Sequence, residues 1–323
     1  MTQIHPGTVD TFSRVVRPES ADDILATHGR TFHWAKRFLG YDMGANAAQL
    51  YVFCRHVDDI ADGNDLDRAA RLEAIDTILS GKTLSRAKDA KTARTFVRFA
   101  GAHGIDLQVT RDLIRGLASD QGEVNVHDTR ELLVYCYRVA GTVGLMMAPL
   151  LNCHDRKAGH FAMDLGIAMQ LTNIARDVAE DAAMGRRYIP AGWCGQASPR
   201  AIHASVFDDT HPARREISCA IEDLLALADM FYASGYKGLS YLPPRAHLAI
   251  GIAARCYQEI GHKLRRRKFA YWRGRVVVGT GGKIIASAKS LFTFLHRLGP
   301  LPDHDNTLQT YFDPTRNDPD IAN

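Results

Sequence analysis

Residues 51–62 read YVFCRHVDDIAD and residues 170–181 read QLTNIARDVAED, and these two stretches decide the fold. An α-helix advances about 100° per residue. On that geometry Tyr51, Arg55, Asp58 and Asp62 share a stripe roughly 60° wide, and Gln170, Asn173, Asp177 and Asp181 share one roughly 80° wide. Around the first stripe stand Leu50, Val52, Phe53, Val57 and Ile60; around the second stand Leu165, Ile167, Met169, Leu171, Ile174 and Val178. A helix that is apolar nearly all round is a buried helix. Carboxylates on a buried helix cost several kcal/mol each unless they are paired or bind a metal. Two such helices imply a wet cavity with carboxylates on opposite walls and cations between them.

Asp58 and Asp62 are i, i+4 neighbours, roughly 6 Å apart along the helix axis, and they repel. Hard oxygen ligands of this kind suit Mg²⁺, which commonly takes one or two carboxylates plus substrate phosphates. Asp177 and Asp181 repeat the spacing, with Glu180 adjacent. A lone DxxxD is usually a solvated acidic face; its repetition inside apolar surroundings favours a metal. Arg55, Arg176, Arg186 and Arg187 interleave with these acids. They can neutralise the aspartates, or they can meet a diphosphate, whose charge is spread over several oxygens. Arg55 and Arg187 are the expected diphosphate contacts.

The chain has 323 residues, 46% hydrophobic and 24% charged, which is ordinary globular composition and enough for a sizeable core. A net charge of +4 is too weak to argue for nucleic acid, and it suits an anionic substrate or membrane surface. The six cysteines form no CxxC pair and read as reduced thiols in a cytoplasmic setting. No apolar run reaches the roughly 18 residues of a membrane span, and the N-terminus lacks a signal-peptide core.

No proline occurs between Pro18 and Pro149. A proline-free stretch of that length with helical apolar recurrence is mostly helix. Helices are predicted at 20–38, 43–62, 67–80, 86–101, 106–119, 129–151, 156–182, 212–237, 243–268 and 280–298. RVVVGT at 275–280 is β-rich but has no partner strand. The fold class is therefore all-α, a single domain over 19–298. Residues 1–18 and 299–323 are polar, proline-punctuated and expected to be loose.

Other signals are weaker. Gly141 and Gly144 sit inside the apolar run YCYRVAGTVGLMMAPLL at 135–151, where they permit either tight helix packing or close approach of a ligand. Gly279, Gly281, Gly282 and Lys283 hint at a phosphate loop, but Ile284 stands where a Walker motif needs Ser or Thr. No GxGxxG follows a strand, so nothing supports a nucleotide cofactor. His127-Asp128 and His154-Asp155 are the dipeptides of a helical metal phosphohydrolase, a poor second reading. KLRRRK at 263–268 is most simply a solvated face. The basic amphipathic segment KIIASAKSLFTFLHRL at 283–298 nevertheless makes peripheral membrane contact a candidate property.

The paired acidic motifs, YCYRVAGTVG and GRRYIP, in that order and spacing, resemble the squalene and phytoene synthase family, and bacterial phytoene synthases most. The resemblance spans about 28–290. It implies an isoprenoid synthase fold, a helical bundle around a central cavity. It also implies head-to-head condensation of two prenyl diphosphates through a cyclopropyl intermediate, with Mg²⁺ or Mn²⁺. Asp58, Asp62, Asp177 and Asp181 would then hold the metals, with Asn173 and Gln170 lining the same cavity and Arg176 beside Asp177. Arg55 and Arg275 would bind phosphate oxygens. Tyr51, Tyr135, Tyr188 and Tyr257 would lie near the reacting carbons or the departing diphosphate. HGRTFHWAKRF at 28–38 matches the family's first helix, which brings His28, Thr31 and Phe32 toward the substrate; Thr31 and His33 replace the common Ser and Tyr. YQEIGHKL and YWRGRVVV favour geranylgeranyl diphosphate as substrate and phytoene as product, with no NADPH required. Presqualene diphosphate, squalene or dehydrosqualene from farnesyl diphosphate is the alternative. A downstream carotenoid desaturase is a candidate partner. Relatives that act only as scaffolds should have lost acids from one motif, and this chain keeps both.

Overall fold

The computed structural model describes residue 27, residues 29–84 and residues 87–311. Helix α1 (Arg30–Lys36) and the long α2 (Tyr41–Asp62) precede α3 (Arg68–Leu79), α4 (Ala90–His103) and α5 (Leu107–Ser119). A two-residue strand, β1 (Val124–Asn125), leads into α6 (Thr129–Cys136), a π-helical turn (Tyr137–Gly141) and α7 (Thr142–Leu150). Then come α8 (Arg156–Ala183), β2 (Arg186–Arg187), α9 (Pro199–Phe207), α10 (Ala213–Gly238), α11 (Pro244–Arg266) and α12 (Thr280–Leu291). The all-α expectation holds, with strand among the described residues confined to one parallel two-residue pair that matches Val124 with Arg186 and Asn125 with Arg187.

Side-chain caps fix several of these starts. The carboxylates of Asp106, Asp128 and Asp155 accept from the backbone N–H groups of Gln108, Glu131 and Lys157, and Ser198 accepts from Ala201 with Pro199 in the first turn. Asp128 and Asp155 are thus helix caps, which disposes of the His-Asp phosphohydrolase reading. Helix α9 was not foreseen, although Ser198-Pro199 is its start signal.

Two apolar cores flank the acidic helices. One gathers α2 to α5 with Met146 and Leu150 of α7; the other surrounds α8 and α10. Helix α8 runs through the middle and is buried along its length, from Ala158 to Ala182. It packs so closely on the π turn and α7 that a Cβ on Gly144 would overlap the Ala162 carbonyl, and one on Gly166 would overlap the Ala140 carbonyl. The glycine at 144 therefore serves helix packing. The stretch Thr129–Leu150 has the length and composition of a membrane-spanning helix, contrary to the sequence expectation. Here it packs against α8 and lines the cavity.

Segment 275–279 is irregular, and Thr280 opens α12. The Lys263 ammonium donates to the Val277 carbonyl, and Val276 and Val278 are buried. Past Gly299 the chain lies back over α8 and α10. Lys157 pairs with Asp303, the Tyr241 hydroxyl donates to the Pro302 carbonyl, and His304 sits 2.8 Å from the fully buried Asp164. Residues 1–18 and those after 311 lie outside the described residues.

Candidate active site

A cavity of about 610 Å³ opens between the two cores, walled by α1, α2, α5, α6, α7, α8, α10 and α11. Its lining along α8 runs from Asp181 to Ala158, about 34 Å at 1.5 Å per residue. One end is charged. The remainder is mostly apolar, with Val143, Met147, Leu165, Met169, Leu239 and Ile250 on its walls and Lys36 of α1 as a charged exception beside Gly44. A long apolar slot ending in charge fits a molecule with a greasy tail and an ionic head.

The four aspartates predicted as metal ligands, Asp58 and Asp62 on α2 and Asp177 and Asp181 on α8, all line the charged end, together with Gln170 and Asn173. Arginines hold some of them. Arg55 donates to Asp58 at 3.0 Å and also pairs with Asp59 outside the cavity. Arg176 donates twice to Asp177, at 2.7 and 2.5 Å, and Arg275 reaches the same carboxylate at 2.9 Å. Arg186 crosses from β2 to Asp62 at 2.8 Å. Asp181 has no ion pair among the described residues. Burial, then Asp177 beside it, pushes its pKa up to about 8. Burial, then Asp62, pushes Asp58 up to about 6, although 40% of its side-chain surface still faces the open cavity.

This donor set fits a divalent metal. It consists of carboxylates and of the Asn173 Oδ1, a buried acceptor with no hydrogen-bond partner while the Asn173 Nδ2 donates to Gln170 at 3.3 Å. Hard oxygens of this kind suit Mg²⁺ or Mn²⁺. Among the described residues no three acidic or histidine side chains converge to cage an ion alone. That agrees with a metal that completes its shell with substrate phosphate oxygens and water.

The aromatic residues form two groups. Phe32 of α1 lies 6.2 Å from the Tyr51 ring and 5.7 Å from the Tyr257 ring, and all three line the cavity. Tyr135 stacks on Tyr188 at 4.6 Å with an interplanar angle of 21°. The Tyr135 hydroxyl donates to Asp120 at 2.8 Å. Burial raises all four phenols, Tyr51 to about 12. Thr31 is not among the lining residues, and His28 lies outside the described residues.

Arg187 requires a correction. It is 6% exposed and donates to the carbonyls of Val126 and Ala197, away from the cavity. Successive strand residues point to opposite faces. The β1–β2 pair therefore sends Arg186 into the cavity and Arg187 into the protein. Sequence reading also missed Asp120, whose one clue is an unfavourable position, an acid at the C-terminal end of a helix.

The family model for squalene/phytoene synthase matches residues 25–281. The chain belongs to the squalene/phytoene synthase family. Among similar members is a phytoene synthase of Pseudescherichia vulneris, 33% identical over 277 residues that make up 82% of this chain and 88% of the relative. The 15-cis-phytoene synthase of Pantoea ananas is 32% identical over 301 residues, 88% of this chain and 95% of that one. Among solved structures, a dehydrosqualene synthase with bound ligand superposes with a TM-score of 0.70 at 23% identity, covering 85% of this chain and 95% of the other. A squalene synthase from Alicyclobacillus acidocaldarius gives 0.64 at 22% identity, covering 77% and 93%. These structures share the all-α isoprenoid synthase fold. The family works on prenyl diphosphates and generally needs a divalent metal.

Proposed function

We propose that this prenyltransferase joins two molecules of geranylgeranyl diphosphate head to head, through a cyclopropyl diphosphate, to phytoene, releasing diphosphate. The observation that carries the reading is a long slot, charged at one end by two facing carboxylate helices and mostly apolar for the rest of its length. The phytoene synthases at 32–33% identity support the same substrate.

Asp58, Asp62, Asn173, Asp177 and Asp181 would hold the metal. When bound, Mg²⁺ or Mn²⁺ neutralises diphosphate charge and stabilises it as a leaving group. Arg55, Arg176, Arg186 and Arg275 lie within reach of the same oxygens, and each can exchange its present carboxylate for phosphate. The apolar length of the slot keeps water from the allylic cation left behind. Ring faces of Phe32, Tyr51 and Tyr257 on one side, and of Tyr135 and Tyr188 on another, stabilise that cation by cation–π attraction.

The test is incubation of purified protein with geranylgeranyl diphosphate and Mg²⁺, with and without NADPH. Phytoene formed without NADPH supports the reading. A C30 product, made from farnesyl diphosphate alone, replaces it with a presqualene, squalene or dehydrosqualene activity.

A hydrocarbon product needs a lipid phase. Ile284, Ile285, Leu291 and Phe292 are exposed on a stripe of roughly 120° along α12 and its extension, with Lys283 and Lys289 beside it. That face suits peripheral contact with an anionic inner membrane surface, where a desaturase would meet the product. Flotation with anionic vesicles should be lost in Ile285→Glu/Phe292→Glu. Equal flotation of both proteins would refute this face.

A further inference from the structure

Asp120 stands at the C-terminal cap of α5, where the helix end already carries partial negative charge. It is 6% exposed and lines the charged end of the cavity. One oxygen accepts the Tyr135 hydroxyl at 2.8 Å; the other, Oδ1, is buried without a partner. Among the described residues no cation forms an ion pair with it, and its neighbours across the cavity include Asp58, Asp62 and Asp181 as well as Arg186. Burial raises its pKa to about 6. A neutral amide could also accept from Tyr135, as a weaker acceptor, at lower burial cost. A carboxylate in this place is therefore unexplained by packing.

Its effect passes through the tyrosines. Tyr135 is hydrogen-bonded at its hydroxyl and stacked on Tyr188 along its ring, which brings Tyr188 into the electrostatic neighbourhood of Asp120. An anionic acceptor fixes the rotation of the first ring and, through the stack, of the second. It also draws the phenol proton toward itself and enriches the ring in electron density, which strengthens attraction to a cation at its face. We propose that Asp120 is a positioning residue that holds the Tyr135–Tyr188 pair with polarised ring faces toward the allylic cation. The proposal rests on the prenyl-condensation reading. It adds a third acidic wall, on α5, whose role differs from that of the two DxxxD helices.

The experiment is a double-mutant cycle of Asp120→Asn, Tyr135→Phe and their combination, with Asp120→Ala as a harsher variant. Steady-state kcat and KM are read together with the ratio of released cyclopropyl diphosphate to hydrocarbon. Expected are a kcat about tenfold to a hundredfold lower in Asp120→Asn with KM unchanged, more intermediate released, and a double variant no slower than the slower single. Wild-type kcat in Asp120→Asn, multiplicative losses in the cycle, or a raised KM with kcat intact would each overturn the proposal. Tyrosine Raman bands of the folded proteins give a readout independent of turnover. A strong-donor phenol present in the wild type should vanish equally in Asp120→Asn and Tyr135→Phe; its absence from the wild type sinks the proposal. Wild-type protein that makes no prenyl product instead fails the condensation reading, and the Raman result then decides the Asp120–Tyr135 contact separately.

Discussion

The two acidic helices carry the same DxxxD spacing and are not equivalent. On α2 both DxxxD aspartates meet an arginine: Asp58 meets Arg55, which it shares with Asp59, and Asp62 meets Arg186. At α8 two arginines, Arg176 and Arg275, converge on Asp177, and among the described residues none pairs with Asp181. Exposure differs too, with 40% and 52% of the side-chain surface for Asp58 and Asp62 against 19% for Asp177. The α2 wall is balanced and wet; the α8 wall is divided into a locked carboxylate and an uncompensated one. Sequence spacing places carboxylates on a face, but the distribution of counter-charge decides what each contributes.

Breaking the locked partner should have the largest effect. Asp177→Ala removes a metal ligand and strands Arg176, whose side chain is only 14% exposed. Activity should fall about 100- to 1,000-fold. Stability should fall by about 2 kcal/mol, taken below the full buried-pair cost because both partners keep some exposure. Steady-state assays and thermal melting measure the two losses. A variant that melts like the wild type would show that the α8 pair is not locked.

Asp181→Asn should separate activity from stability. Activity drops by about 100-fold, while the metal-free protein becomes more stable, because a carboxylate buried beside Asp177 has been neutralised. The sign follows from the shift. A folded-state pKa near 8 against an ordinary 3.8 means that the folded chain binds the extra proton. The Asp181 contribution therefore falls as pH rises from about 4 to about 8. Asp181→Asn should flatten that decline, and saturating Mg²⁺ should flatten it in the wild type as well. A metal-free melting temperature that stays constant or rises across this window would contradict the uneven wall.

Much of this site was legible in the sequence because it is local. Gln170, Asn173, Asp177 and Asp181 lie on one helix, and 3.6-residue periodicity alone brings them to one face. The apolar flanks of α8 announced its burial, and 156–182 was placed within a residue of its observed limits. What escaped depends on distant chain. The choice between Arg186 and Arg187 is made by pairing with Val124 and Asn125, more than 60 residues earlier, across a strand too short to have a pattern. Asp120 takes its role from Tyr135, one helix further on. The π turn at Tyr137–Gly141 adjusts the register of a stretch that reads as one continuous helix; such turns recur at functional sites. These are contacts of tertiary structure, which periodicity does not encode.

The adjacent arginines sharpen the comparison at the smallest scale. Arg186 and Arg187 are chemically identical and 13% and 6% exposed, the former by side chain and the latter as a whole residue. Arg186→Ala frees Asp62 and removes a cation from the charged end, so KM for the diphosphate should rise about tenfold, equivalent to about 1.4 kcal/mol, with little change in melting temperature. Arg187→Ala leaves the cavity wall in place but strips donors from the Val126 and Ala197 carbonyls. It should lower stability by about 1–3 kcal/mol and leave KM of the folded fraction unaltered. Both effects come from one alternation of strand direction, since β1 holds β2 in a single register. If Arg187→Ala raised KM and Arg186→Ala left it unchanged, the assignment of the two arginines would be reversed, and the register of that short bridge with it.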